Sequence, residues 1–317
     1  MRLISRSKME GGIISALRGL IHKFAMCVNS RKIVLYVYLW PAIITFLIAS
    51  LSVGHLDIMS MVKLMLAVAF VSFGVYFYND LMDLEDDLKN LALGNPIPAG
   101  RPIGSGLVTK TQLKLFILVT SGAGLAFSYS INRHILLFQV IYLVLGFLYS
   151  TNPVRLKKRF LLKQLTIALG VILADLSGAY AVGVFNNQIL FMLALNLALC
   201  IGVNPIIDIR DMSGDLVMGA KTIPVVWGPE LTVRLYFATL IAIGVGSIVG
   251  YVQMGFSVAM PLLAITIISA WIYVSLPLLG KYEDVRSNFM GYFLKTPPFF
   301  LSIQLMPLIA LIGNIYF

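Results

Sequence analysis

Charge is scarce in this chain. Of 317 residues only 12% are Asp, Glu, Lys or Arg, while 59% are hydrophobic and the mean hydropathy is +0.91. A soluble domain carries about twice that charged fraction, so an ordinary water-soluble domain is excluded. Cysteine is nearly absent. Cys27 precedes the first apolar run and Cys200 lies inside the sixth, so neither a disulfide framework nor a thiolate metal site is expected. The three histidines, His22, His55 and His134, are scattered, which argues against a His-based metal site. No domain linker and no short-period repeat is present. Positions 1–32 lack a clean apolar core ahead of a small-residue cleavage site, so the N-terminus is not expected to be a secretory signal.

Long apolar runs are present in abundance. About 20 such residues cross the hydrocarbon core as a helix, and nine runs qualify: 33–54, 59–78, 113–131, 134–151, 162–184, 187–207, 231–253, 256–279 and 297–316. They are continuous rather than alternating, which excludes a transmembrane β-barrel. The fold expected is an all-α integral membrane protein, with nine transmembrane helices bundled around a central cavity. Residues 1–32 form a separate basic segment and 33–317 a single membrane domain. In the basic segment Ile13, Ile14, Leu17, Leu20, Ile21 and Phe24 recur at helical spacing, opposite Arg18, His22 and Lys23. That pattern suits an interfacial amphipathic helix on a membrane surface; the other reading is a poorly ordered basic tail.

All but three of the 24 lysines and arginines fall in segments 1–32, 79–112, 152–163, 208–234 and 280–296; the exceptions are Lys63, Lys114 and Arg133. With nine spans those five segments share one side. The positive-inside rule makes that side, and the N-terminus, cytoplasmic in a multi-pass protein of the cell membrane. The net charge of +10 then marks a face that meets anionic head groups or phosphates. No basic region is large enough to fold apart from the spans, so nucleic acid is not an expected partner.

Two acidic clusters close the second and sixth runs. The first is Asn79-Asp80-Leu81-Met82-Asp83-Leu84-Glu85-Asp86-Asp87, and the second is Asp208-Ile209-Arg210-Asp211-Met212-Ser213-Gly214-Asp215. On a helix Asp80, Asp83 and Asp87 share one face, as do Asp211 and Asp215, with Asp208 one turn earlier. Like charges stacked this way repel, and a bound cation would remove the penalty. All-oxygen ligands favour Mg²⁺ or Ca²⁺, and Mg²⁺ commonly takes one or two carboxylates plus substrate phosphate. Asn79 and Asn204 can add amide contacts. The bland reading of either cluster alone is a solvated helix end. Two clusters on one membrane face, each continuous with a span, favour the metal.

A metal-bound diphosphate also needs cations. Arg101 follows the first cluster, and Arg155, Lys157, Lys158 and Arg159 lie in the loop after the fourth run. Lys163 comes next, and Lys221 follows the second cluster. Arg grips phosphate oxygens in pairs and Lys acts as a point charge. Function is the reading for Arg101, Arg155 and Lys157; for Lys158, Arg159 and Lys163 topology or lipid contact serves equally well. Tyr149 either stabilises a cation through its ring or sits in an interfacial aromatic belt. Asp175, inside the fifth run, either orients or deprotonates an acceptor or pairs with a polar group on a neighbouring helix.

The string Asn79-Asp80-x-x-Asp83-x-x-x-Asp87 resembles the first signature of the UbiA superfamily of intramembrane prenyltransferases. Asp208-x-x-Asp211-x-x-Gly214-Asp215 with Lys221-Thr222-Ile223-Pro224-Val225 is similar to its second, and Arg101-Pro102 with Ser105-Gly106 to its Arg-Pro loop. The stretch from Leu88 to Gly100 is longer than in many relatives. The loop from Tyr149 to Lys157 looks more like the chlorophyll-synthase and archaeal lipid branches than the aromatic-acceptor ones. The resemblance implies Mg²⁺-dependent transfer of an isoprenyl group from a polyprenyl diphosphate to a lipid or aromatic acceptor. Two Mg²⁺ ions would be held by Asn79, Asp83, Asp87, Asp208, Asp211 and Asp215, with Asp80 of the shared face a further metal candidate and Asn79, Arg101, Arg155, Lys157 and Lys221 on the diphosphate. Asp83, Asp87, Asp211, Asp215, Tyr149 and Asp175 are the catalytic candidates. A divalent-cation transporter would place carboxylates at mid-membrane rather than at span ends. A CDP-alcohol phosphotransferase has one acidic motif and fewer spans.

Overall fold

Backbone groups in lipid must be satisfied within the segment, and the apolar runs accordingly fold as helices. The structure, a computed structural model, describes residues 2–92, 101–280, 292 and 295–316, with side chains within 14–88, 101–280, 292 and 295–314. The segment Asn95-Pro96-Ile97-Pro98 and most of 280–296, read above for length and charge, lie outside the described residues.

Helix α1 is Arg2–Ser30. A π-helical turn, Leu35–Leu39, leads into α2, Trp40–Val53. Then come α3, Ile58–Ala92, α4, Lys110–Ile131, α5, Arg133–Ser150, and α6, Leu162–Val182. Helix α7, Asn187–Ala198, continues as a π turn, Leu199–Val203, and α8 is Ile206–Val217. The short α9, Ile223–Trp227, precedes α10, Pro229–Gln253, α11, Ala259–Ser275, and α12, Pro297–Tyr316. Polar residues set the ends. Thr109 and Gln112 form a capping box on α4, and Asn132 and Asn186 cap α5 and α7 by accepting backbone N–H bonds.

Among the described residues eight helices are long and apolar enough to cross a membrane. The pair α7 and α8, bent by 43°, makes a ninth if it counts as one span. The expected sixth run, 187–207, therefore does not form a straight rod. Pro205 has no N–H to donate, and the chain turns there. Helix α3 continues past the apolar run 59–78 through the whole first acidic cluster, as the reading of that cluster on a helix continuous with the span requires.

Two apolar cores build the bundle. One joins α1, α2, α3, α4, α5 and α6; the other joins α2 and α6 to α7, α8, α10, α11 and α12. Where helices approach most closely, small residues permit it. Gly178 of α6 faces the backbone of Ala42 and Phe46 on α2, and Gly146 of α5 faces Val75 on α3.

The N-terminal segment is helical, and its last turns are docked. Phe24 meets Phe77 and Phe116 edge-on at centroid distances of 6.2 and 5.2 Å, and Lys23 Nζ donates to Gln112 Oε1 at 3.2 Å. Leu20 and Phe24, expected to face the membrane, pack on the protein instead. Ile14, Leu17 and Ile21 remain exposed.

Overpacking a tight helix contact costs about 1–3 kcal/mol. Gly178→Val should lower the thermal midpoint of the detergent-extracted protein, because its side chain would meet α2 backbone. Gly246→Ala, which meets nothing within 4 Å, should leave the midpoint in place. Equal behaviour of the two variants would refute the close α2–α6 contact.

Candidate active site

Helix α3 carries the first acidic cluster on the shared face that the spacing requires, and Asp80 and Asp83 are buried at 3% and 7% exposure. Four carboxylates so close on one helix are tolerated because cations from three other segments meet them. Arg31, just after α1, pairs with both oxygens of Asp80, its Nε donating to Oδ2 at 3.0 Å. Arg101 pairs with Asp87 and lies 3.5 Å from Asp80. The loop after α5 supplies the rest. Lys157 pairs with Asp83, Arg155 donates to Asp86 at 2.6 Å and lies 3.4 Å from Asp83, and Lys158 lies 3.3 Å from Asp86. Asn79 Nδ2 donates to Asp83 Oδ2 and to Ser150 Oγ, both at 2.9 Å. Arg155 holds φ at 38°, a left-handed conformation that a non-glycine residue rarely adopts.

These neighbours shift the loop charges. Burial would lower Arg31, but the adjoining Asp80 carboxylate outweighs it and raises the guanidinium above its ordinary value. For Lys157 burial wins over the pull of Asp83, and the ammonium is lowered. Burial, helped by Asp80, pushes the Cys27 thiol up to about 12, so it is no nucleophile.

The second cluster opens on α8. Asp208 is buried and bonded through both oxygens, to Lys163 Nζ at 2.6 Å and Gln164 Nε2 at 3.0 Å. Asn204 donates to Gln164 Oε1 at 3.0 Å. Asp211 is half-exposed and pairs with its neighbour Arg210 at 2.7 Å. Asp215 Oδ2 is buried without a hydrogen-bond partner.

One loop ties the clusters together. While Lys157 and Arg155 reach α3, the Lys158 carbonyl accepts from the Lys221 N–H at 3.0 Å, and Lys158 Nζ donates to the Met218 carbonyl at 3.3 Å. The C-terminal ends of α3, α5 and α8 thus meet at one end of the bundle. A cavity of about 230 Å³ opens beneath them, between the π-helical turn before α2 and helices α3, α5 and α6, and Tyr38, Tyr76, Tyr142 and Tyr149 line it with Arg31 and Asn79. Tyr149 is therefore a cavity residue.

A model of the UbiA prenyltransferase family matches residues 38–302. The chain belongs to that family. A digeranylgeranylglyceryl phosphate synthase from Thermococcus sibiricus is 28% identical over 218 residues, 64% of this chain and 72% of the relative. The bacteriochlorophyll synthase 34 kDa chain from Chloroflexus aurantiacus is 25% identical over 163 residues, 51% of this chain and 50% of its own length. The fold matches that of a UbiA homolog from Archaeoglobus fulgidus bound to DMAPP and Mg²⁺, with a TM-score of 0.68 at 18% identity, covering 90% of this chain and 98% of that one. This chain is thus a membrane prenyltransferase of the UbiA family.

Within this UbiA-family bundle, Asp175 lies away from the cavity. It is fully buried, accepting from Thr45 Oγ1 and Asn196 Nδ2 at 2.7 Å each, and Gln304 Nε2 donates to Asn196 Oδ1 at 2.6 Å. Of its two readings, the geometry shows the pairing with neighbouring helices α2, α7 and α12. The Lys221 side chain is exposed, and its backbone rather than its ammonium makes the link to the basic loop. Arg101 reaches Asp87 despite the long stretch before it. Arg31, Gln164, Tyr38, Tyr76 and Tyr142 were not found from sequence. Arg31 and Gln164 stand outside both motifs, and the tyrosines sit at ordinary helix positions. For Lys163 the only sequence signal was its place in a basic loop.

Among the described residues no three Asp, Glu, His or Cys side chains gather closely enough to hold a metal by themselves. The donors are all oxygen and divided between α3 and α8, and Asp215 keeps an orphaned buried oxygen. That fits a hard cation taking one or two carboxylates from each helix, with phosphate oxygens completing its sphere.

Removing one partner of a buried ion pair costs on the order of 3 kcal/mol. Arg31→Ala should destabilise the protein markedly in thermal denaturation, and adding Asp80→Asn should recover most of the loss; no recovery would contradict the pairing. Asp175→Leu should also destabilise, by about 1–3 kcal/mol for each donor left unpaired. Asp175→Asn should keep most turnover per folded molecule, and its complete inactivity would return Asp175 to the reacting centre.

Proposed function

We propose that this prenyltransferase uses Mg²⁺ to transfer an isoprenyl group from an isoprenyl diphosphate to a membrane-associated acceptor, releasing diphosphate. The observation that carries this reading is the basic loop that joins both acidic helices above a tyrosine-lined cavity. Asp83 and Asp87 on α3 and Asp211 and Asp215 on α8 are the residues to hold the metal, two ions in this reading, with Asn79 beside them. Asp80 and Asp208, the most buried carboxylates of the two clusters, position Arg31 and Lys163. When bound, Mg²⁺ supplies positive charge that stabilises the departing diphosphate. Arg101, Arg155 and Lys157 bind its remaining oxygens as they reorient from their carboxylates. The bond from C1 to the bridging oxygen breaks with its electron pair leaving on the diphosphate, and an acceptor atom bonds to C1 and gives up its proton. Tyr149 and its neighbours face the allylic cation with their rings, and the apolar helix walls keep water away from it.

The acceptor is read as a prenylated glycerol phosphate. The support is the T. sibiricus relative together with the loop from Tyr149 to Lys157; a quinone precursor or chlorophyllide is the second choice, favoured by the C. aurantiacus relative. The basic loops are assigned to the cytoplasmic side from their lysines and arginines, and the exposed Ile14, Leu17 and Ile21 of α1 are assigned to the lipid interface.

Asp83→Ala and Asp215→Ala should each lower turnover of labelled geranylgeranyl diphosphate by 10³-fold or more, on the order of the loss when a main charge-stabilising group is removed. Both variants should remain folded on extraction. EDTA should stop the wild-type reaction and Mg²⁺ should restore it. Turnover that survives EDTA or either substitution would contradict the metal-assisted reading.

A further inference from the structure

The first acidic helix carries its own counterions. Both oxygens of Asp83 are engaged, one by Lys157 and Arg155 and the other by Asn79 Nδ2 at 2.9 Å. Asp87 is taken by Arg101 and Asp86 by Arg155 and Lys158. The side chains on both sides of these pairs are largely buried, so water screens them poorly. The second helix differs. Asp211 is half-exposed and takes two hydrogen bonds from Arg210, its neighbour on the same helix, and Asp215 has a buried oxygen without a hydrogen-bond partner. A divalent cation approaching Asp83 and Asp87 therefore meets cations from other segments already in place, whereas one approaching α8 finds an Asp215 oxygen that no hydrogen bond occupies.

We propose that the diphosphate opens the metal site on α3. Its oxygens draw Lys157, Arg155 and Arg101 off Asp83 and Asp87, and only then can those carboxylates take a divalent ion. On α8 the exchange is confined to Arg210 on Asp211, and the Asp215 oxygen is open from the start. Metal and diphosphate are then positively coupled. By linkage, each raises the other's affinity by the same factor. A lone diphosphate-free metal ion and a lone metal-free diphosphate are both held weakly, which disfavours idle occupancy of the site. This inference rests on the metal-assisted reading above and adds a binding order to it.

The test is metal binding without any diphosphate, read by the electron paramagnetic resonance of free Mn²⁺ titrated with full-length protein in detergent. Lys157→Gln removes the cation on Asp83 but leaves Arg155 and Asn79 beside it, so the fold is retained. It should bind Mn²⁺ about tenfold more tightly than wild type, within the usual range of coupling between sites, and Arg155→Gln should act in the same direction. Lys114→Gln, an exposed lysine on α4, controls for the loss of one charge and should not change binding. Adding Asp83→Asn to Lys157→Gln should abolish the gain. Unchanged or weaker Mn²⁺ binding by Lys157→Gln would overturn the exchange while leaving metal assistance standing. Absence of Mn²⁺ binding in every variant, together with turnover indifferent to EDTA, would overturn both.

Discussion

The loop between α5 and α6 is the constraint on which the rest depends. It contributes side-chain cations to α3 and backbone and side-chain hydrogen bonds to the segment after α8. The two acidic helices come from different cores of the bundle, and no carboxylate of one is paired with a side chain of the other in the described contacts. The link is electrostatic on one side, through Lys157 to Asp83 and Arg155 to Asp86, and peptide hydrogen bonding on the other, through Lys158 to Lys221. Tyr149, at the end of α5, lies where both meet.

Energetically the arrangement is a set of compensations. Buried carboxylates on one helix face repel one another, and desolvation adds to the cost. Dedicated cations offset both, Arg31 on Asp80 and Lys163 on Asp208 among them. In the proposed function those two carboxylates stiffen the site, and Asp83, Asp87, Asp211 and Asp215 exchange their partners for metal. Asp175 shows the same rule in a different use. Its two oxygens collect donors from α2 and α7, and through Asn196 it reaches α12, so one buried acid ties helices of both cores together. Polar contacts of this kind fix helix register where lipid supplies no hydrophobic drive.

The spans were legible because hydropathy is a local property, and most of the apolar runs correspond to a helix within a few residues. The acidic faces were legible for the same reason: spacings of three and four residues mean one helix face. Breaks and partners were harder to read. Hydropathy marks where lipid ends, not where a helix does, and only the spacing of the acidic residues signals that α3 runs on past residue 78. The π turn at Leu199–Val203 and the bend at Pro205 interrupt a run that reads as continuous. Arg31 lies 49 residues from Asp80, and Lys163 lies 45 from Asp208; nothing local couples such pairs. Leu20 and Phe24 illustrate a further limit, since an apolar stripe shows that a face will be covered and leaves open whether lipid or protein covers it.

The central claim is that α3 and α8 serve one diphosphate. The direct measurement is anomalous scattering from Mn²⁺ in crystals of the full chain grown with an isoprenyl diphosphate. The account predicts metal peaks bridging one diphosphate to carboxylates of both helices, with Lys157 and Arg155 turned from α3 onto phosphate oxygens. Metal confined to one helix, or a diphosphate seated away from the basic loop, would contradict it.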